Sequence, residues 1–297
     1  MNFFIYSYSY DENSGGVIAL HRLCHIINTT TSHHAFLVSD KWAQPWLKRI
    51  HSKLKKKKIL NVHEGWETPI WTRRQFPEDA IVIYPEVVKG NPLGIRHVVR
   101  WLLHQPGFHT SQIHYGKNEL YFKFNSAIND FQRESCTLAQ HEMKVIYYPI
   151  DTYANRGLSR DIDCCYMVRK GTDKPQMHPT DAVCLDGKSH TEIAAIFNRA
   201  RQFICYDDYT AYSLFAVLSG CESIVVPGED VSLEDWYPNI SDRYGLAYGF
   251  SEDQRVWATQ TKDKVFEHIL NEHKKVECCV AQCLTEIADF FQLDYLS

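Results

Sequence analysis

The residues of this 297-residue chain best equipped for chemistry lie between Gln202 and Gly228, in the run QFICYDDYTAYSLFAVLSGCESIVVPG. Phe203 to Cys205 is a short apolar run that gives way to Asp207 and Asp208, then Tyr209 and Thr210. Asp and Thr suit a helix start, because their side-chain oxygens accept first-turn N–H groups that lack an intrahelical partner. Ala211, Leu214, Phe215 and Leu218 then recur at helical spacing, Ser219-Gly220 stops the helix, and SIVVP reads as a buried strand. The pattern predicts a strand–helix–strand unit. A helix that opens just past a strand's carboxyl end turns its free N–H groups and positive dipole end into the ligand crevice of an open α/β sheet. Such a place suits a phosphate or diphosphate, and the neighbouring carboxylates suit sugar hydroxyls.

Four further sets of residues stand at predicted strand ends. CCYMV, from Cys164 to Val168, is followed by Arg169-Lys170-Gly171. Near the start, the strand Asn2 to Tyr6 leads into a flexible turn with Asp11, Glu12 and the pair Gly15-Gly16. There the helical spacing of Val17, Leu20, Leu23, Cys24 and Ile27 begins. Glycines at a helix start let backbone N–H groups approach a ligand closely. Glu86 closes the apolar run DAIVIYP, and His104 closes HVVRWLLH. His104, His109 and His114 follow at five-residue spacing. That spacing fits neither one helix face nor a known ligand pair, so loop or acceptor-site histidines are expected rather than a metal centre.

The elements that must carry these residues are strands alternating with helices, which predicts an α/β protein. Further strands are expected at Ala35–Ser39, Glu119–Phe124, Val145–Ile150 and Ala182–Leu185, and helices over Thr191–Arg201 and from Val276 to Phe291. The length allows two ordinary domains. The polar stretch PIDTYANRGLSR places the boundary, giving domains over 1–150 and 151–297.

A hydrophobic share of 44% and a charged share of 23% predict a packed globular chain. The net charge of −4 argues against a dedicated nucleic-acid binder. No apolar run approaches membrane-spanning length, and the opening MNFFIYSYSY reads as a first strand rather than a signal peptide. The ten cysteines sit mostly in apolar runs without a C-x-x-C pair, as expected for reduced thiols in the cytoplasm. The basic, aromatic stretch WAQPWLKRIHSKLKKKKIL, and its Lys48–Lys58 region above all, suits peripheral contact with an anionic membrane surface.

The 202–228 unit resembles the donor-binding segment of GT-B glycosyltransferases, in which an acidic residue opens the turn before a helix and a PVV-like strand. Tyr206, Asp207 and Thr210 match the YD-x-x-T turn of bacterial- and viral-type polysaccharide transferases. Asp207 falls at the first glutamate of the family's Glu-x7-Glu pair, but Phe215 stands where the second would be. Either ribose recognition differs here or the subgroup does. Arg169-Lys170-Gly171 resembles the first turn of the family's C-terminal domain, RWLLHQPG a segment of its N-terminal domain, and YGLAYG its late GIAYG run.

The resemblance implies two Rossmann-like domains facing each other across a cleft, an acceptor-binding one over 1–150 and a nucleotide-sugar-binding one over 151–297. The last helix of such folds commonly packs back on the first domain. Gly15, Gly16, Arg169, Lys170, Asp207, Asp208, Tyr209 and Thr210 would bind the donor. The activity implied is transfer of a sugar from a nucleotide-sugar to a hydroxyl of a glycan acceptor, with no cofactor and no metal. Fixed cations then stabilise the charge that develops on the diphosphate leaving group. Asp161-Ile162-Asp163 matches the metal-binding D-x-D of the other large transferase fold, but it precedes a strand instead of ending one. Inversion at the anomeric carbon would require a general base near the acceptor. Asp11 is the preferred candidate, with Glu86 and His104 as the others.

Two other classes remain. A nucleotide-dependent epimerase or dehydrogenase is disfavoured by the absence of G-x-G-x-x-G after the first strand. A non-catalytic protein of GT-B-like fold, binding membrane surfaces or glycans, fits the missing second glutamate and the lysine run.

Overall fold

The computed structural model describes residues 1–39, 60–73, 75–126, 128–229 and 231–293. The Lys48–Lys58 region lies outside them. The chain is α/β with two all-parallel sheets, one of six strands and one of five. It divides into two compact units, Met1–Tyr147 with His273–Ser297, and Tyr148–Glu272.

In the first unit the strands are β1 (Asn2–Tyr6), β2 (His34–Val38), β3 (Ala80–Pro85), β4 (His97–Leu102), β5 (Leu120–Lys123) and β6 (Thr137–Leu138). They lie in the order β2-β1-β3-β4-β5-β6. Each central strand is a near-continuous apolar run because both sheet faces are covered; every residue of β3 is buried. Helix α1 (Gly15–Thr30) buries Leu20, Leu23, Cys24 and Ile27, the stripe its spacing predicts. The Asn28 amide spans the turn to β2, accepting from Ala35 N at 2.8 Å and donating to Ala35 O at 2.9 Å. Val276, Val280, Cys283, Leu284 and Ile287 complete the same core.

Arg100 on β4 and Glu119 are both fully buried. The pair is bidentate, at 3.0 Å from Nε and 2.8 Å from Nη2. Nη1 also donates to Val88 O, and Nη2 to Gly90 O. Tyr84 and Tyr115 lay their rings against the cation. The pair thus ties the loops after β3 to the loop before β5.

In the second unit the strands are β7 (Ile162–Met167), β8 (Val183–Cys184), β9 (Ala200–Cys205), β10 (Glu222–Val225) and β11 (Leu246–Tyr248), in the order β11-β10-β9-β7-β8. Helix α2 (His190–Phe197) opens on a capping box between Ser189 and Glu192. Helix α3 (Tyr212–Leu218) joins β9 to β10. The short helix α4 (Leu233–Trp236), α5 (Glu252–Thr261) and the start of α6 (Val265–Phe291) follow. Phe203, Phe215, Trp236, Val265 and Ile269 share one core with Tyr153. Tyr153 thereby anchors the polar stretch 149–160 in this unit.

Three sequence expectations need correction. Val145–Ile150 is not a strand: Val145 is buried in the first core without joining a ladder, and β6, which pairs with β5 through two residues, lies at the sheet edge instead. Helix α2 stops at Phe197, not Arg201, because Ala200 already pairs with Ile162 in the sheet. Helix α3 starts at Tyr212, one residue after an Ala211 that makes no side-chain cap.

Candidate functional site

Both sheets place their first strand between the second and the third, so each has a switch point where the connections leave in opposite directions. In open parallel sheets, ligands bind outside the strands' carboxyl ends at this point. In the second unit it lies between β7 and β9. The residues that emerge there are Arg169 and Lys170 from β7, and Asp207 to Thr210 from β9.

Arg169 has a left-handed backbone, φ 45°. Two hydrogen bonds from the chain to one carboxylate hold this turn. Val168 N and Arg169 N donate to Asp186 at 2.8 and 3.1 Å. The turn is so close to β9 that a Cβ on Gly171 would sit 2.1 Å from Tyr206 O. Only glycine fits there. Arg169 Nε lies 3.5 Å from Asp207, and its guanidinium rests on the Tyr212 ring, 5.4 Å from the centroid. Asp207 is 9% exposed, whereas the Arg169 side chain is 44% exposed. Lys170 is exposed and has no ion-pair partner among the described residues.

Lys174 is the main residue that motif reasoning passed over. Its ammonium donates to Asp208 at 2.7 Å and to Val226 O at 2.7 Å, joining the ends of β9 and β10. Trp236 Nε1 also donates to Asp208 O. Tyr206 orders the next loop. Met177 N and His178 N donate to its hydroxyl, and His178 Nδ1 lies 2.6 Å from the same oxygen. The His178 ring stacks on Tyr166 at 3.6 Å. The available signals for these residues were the aromatic and basic residues within a few positions of Gly171.

Asp207 to Thr210 come together as the motif implied, but they do not cap a helix. Asp207 Oδ1 accepts Tyr209 N, and Thr210 Oγ1 accepts Tyr212 N, both at 3.4 Å. Helix α3 has seven residues, too few to make an anion site by its N-terminus. The chemistry at this point therefore belongs to side chains. Arg169 and Lys170 offer cationic donors, Asp207 offers an acceptor, and Tyr209, 62% exposed, offers a ring face.

A cavity of about 820 Å³ lies at the opposite, amino ends of β9 and β10, lined by Arg160, Arg201, Glu222, Arg255 and Lys262 among others. The arginines of this cavity are already engaged. Arg160 donates to Phe197 O and Ser219 O. Arg201 pairs with Asp163, and Arg255 with Glu222. Asp161 pairs with Arg199, so both carboxylates of the D-x-D motif serve as ion-pair partners at this end of the sheet.

The first unit's switch point lies between β1 and β3. Asp11 forms a local turn, its Oδ1 accepting Asn13 N at 3.0 Å. Ser14 caps α1 through Val17 N, so Gly15 and Gly16 are its first helical residues. Glu86 leaves β3 and is 7% exposed. Its carboxylate accepts Leu103 N at 3.2 Å, and burial raises its pKa above the ordinary carboxyl value. Leu103 also lies 3.5 Å from the position a Gly16 Cβ would take. Gly16, Glu86 and His104 are therefore neighbours. His104 Nδ1 accepts Gln105 N at 2.8 Å, which leaves the neutral ring's proton on Nε2. In that tautomer Nε2 donates and offers no lone pair to a substrate. His109, from the same loop, packs its ring 5.1 Å from that of His104. His114 bonds to Gln112 instead.

Among the described residues no group of histidines, cysteines and acids has metal-ligand geometry. No helix among them is long and apolar enough to cross a membrane. No protein-family model matches the chain, and no curated protein matches it.

Proposed function

We propose that the chain is a GT-B-type glycosyltransferase that moves a sugar from a nucleotide-sugar to a hydroxyl of a glycan acceptor, with two Rossmann-like domains. The observation that carries this reading is the Arg169–Asp207 contact at the switch point of the second sheet. A diphosphate there meets the exposed Arg169 fork and Lys170, which stabilise the negative charge that grows as the sugar–phosphate bond breaks. Asp207 accepts hydrogen bonds from hydroxyls of the donor. Asp208 is occupied by Lys174, and the two together hold the turn rather than touch substrate. Neither the proton nor the charge has to pass through a metal in this scheme.

For the acceptor proton we favour Glu86 over Asp11 and His104. Burial raises the Glu86 pKa and so makes its carboxylate a stronger base, whereas the Asp11 carboxylate is taken up by a local turn and the His104 tautomer faces the wrong way for a base. The route by mass is simple: the acceptor oxygen bonds to the anomeric carbon, the diphosphate leaves, and the acceptor's proton goes to Glu86.

One observation favours a second reading, a non-catalytic glycan-binding protein. The cluster holds Arg169, Lys170 and Lys174 against Asp186, Asp207 and Asp208, so it is near neutral, and acids beside tyrosines also suit uncharged sugars. A transfer assay separates the two. Purified protein is offered UDP-, GDP-, CMP- and dTDP-sugars, and release of the free nucleotide is followed with and without oligosaccharide acceptors. The transferase reading expects release with one nucleotide class, lost in Arg169→Ala and Glu86→Gln. Sugar binding without release from any donor contradicts it and supports the second reading.

A further inference from the structure

Outside these clusters, three buried polar atoms without a hydrogen-bond partner gather around one side of α1: His21 Nδ1, Arg22 Nε and His63 Nδ1. Buried polar groups are nearly always paired, so such a concentration calls for an explanation. Arg22 is the centre of the group. Its guanidinium carbon lies 5.5 Å from the Trp66 ring centroid and 5.3 Å from that of Tyr147. It forms no ion pair and no hydrogen bond among the described residues. Glu277 is a carboxylate that acts electrostatically on the cation without forming an ion pair with it. Two rings thus hold an arginine that has no partner among the described residues, and with Nε buried its two terminal nitrogens are the donors left for a ligand. This is the geometry in which arginine reads a carboxylate or a phosphate bidentately.

The surroundings extend the site. His25 stands one helical turn on from Arg22. Its Nδ1 accepts Glu67 N at 2.9 Å, so a neutral ring keeps its N–H on Nε2 as a donor. Trp66 stacks on His63 at 4.2 Å and on His25 at 6.0 Å, and meets Tyr10 and Tyr147 edge-on. Flat aromatic faces beside a fixed cation suit a ring that carries an oxyanion, because the apolar C–H face of a sugar packs on the aromatic surface while its acid group meets the guanidinium.

We propose that Arg22, Trp66, Tyr147 and His25 form a binding site for an anionic sugar, one bearing a carboxylate or a phosphate. The site lies wholly in the first unit and does not depend on the nucleotide reading of the second. If that reading also holds, the glycan acceptor is an acidic one.

The test uses the full chain. Tryptophan fluorescence and melting temperature are followed during titration with glucuronate, glucose 6-phosphate, inorganic phosphate and, as the neutral control, glucose. A saturable response is expected to glucuronate or glucose 6-phosphate and none to glucose. Glucuronate alone would assign the carboxylate, and glucose 6-phosphate alone the phosphate. Arg22→Gln should weaken binding by about tenfold or more, since a charge-assisted bond is lost. Arg22→Lys keeps the charge without the fork and should fall between. Trp66→Phe should weaken binding while keeping the fold, and it guards against an Arg22→Gln variant that fails to fold. Arg169→Ala should bind the anionic sugars as the parent does, which separates failure here from failure of the donor site. Absence of a saturable response to any anion overturns the proposal, as does unchanged binding in a folded Arg22→Gln, or inorganic phosphate competing equally in that variant and the parent.

Discussion

Glu119→Ala should be among the most destabilising single changes in the first unit. Its carboxylate accepts from Arg100 Nε, Arg100 Nη2 and Gly116 N, at 3.0, 2.8 and 2.7 Å. Without it Arg100 keeps two carbonyls but remains a buried cation with no counter-charge. Breaking one side of a buried pair typically costs about 3–5 kcal/mol, because the orphaned charge cannot reach water. For a unit of this size each kcal/mol is worth about 2–4 °C, so the transition should fall by about 6–20 °C. Differential scanning calorimetry reads this directly, and Arg100→Met/Glu119→Leu supplies the control. Removing both leaves no orphaned charge, although Gly116 N and the carbonyls of Val88 and Gly90 each lose a partner, so the double variant should recover part of the loss. A Glu119→Ala transition within about 2 °C of the parent would refute the reasoning, since that is the behaviour of a solvent-screened surface pair. So would a double variant as unstable as the single one. The pair also supports the candidate base: Tyr115, whose ring covers Arg100, donates its hydroxyl to Glu86 O at 2.7 Å.

Three further outcomes are expected. Gly171→Ala must push the turn away from Tyr206 O and should cost about 1–3 kcal/mol by overpacking, with nucleotide binding lost as Arg169 moves; a variant that melts and binds like the parent rules out the close approach. Glu86→Gln separates stability from chemistry: a carboxyl whose folded pKa is raised contributes stability that is full below its unfolded pKa and lost as pH rises through the folded one. The variant should therefore melt above the parent at neutral pH, the gap closing in acid, while transfer activity falls; a lower melting point at neutral pH would show that the bond to Leu103 N outweighs burial. A thiol reagent on the native protein should modify Cys184 and Cys278 first, with the seven buried cysteines released only on unfolding. Burial pushes Cys205 and Cys221 up to about 12, so their thiolates are scarce as well as covered; rapid reaction of Cys205 would contradict the packing of β9.

Strands covered on both faces were legible because nothing polar interrupts them, as in FFIY and AIVIYP. Strand order was not, because parallel neighbours are joined by long crossovers and no local signal names the partner. The switch points, and with them the pairing of the Arg169 turn with the Asp207 turn, therefore emerge only in three dimensions. The Arg100–Glu119 pair was not read from the sequence, because Glu119 lies beyond a histidine-rich loop and nothing local to the run HVVRWL names it as the partner. Val145 and Ile146 show the opposite failure, since apolar side chains can plug a core from irregular chain and leave the strand edge to Thr137–Leu138. Asp207 and Thr210 fit a helix-start pattern, yet their side chains serve short turns before Tyr212. Arg22 was hidden because the rings that hold it, Trp66 and Tyr147, come from distant parts of the chain.

The most direct test of the central claim is a melting titration with UDP, GDP, CMP and dTDP, metal-free, on the parent and Arg169→Ala. A nucleotide that binds only the folded chain adds about 2.7 kcal/mol when present at a hundred times its dissociation constant. The account predicts a clear rise with one of the four that disappears in Arg169→Ala while the anionic-sugar response persists. No rise with any nucleotide, or a rise that Arg169→Ala leaves intact, would contradict a diphosphate site at the ends of β7 and β9.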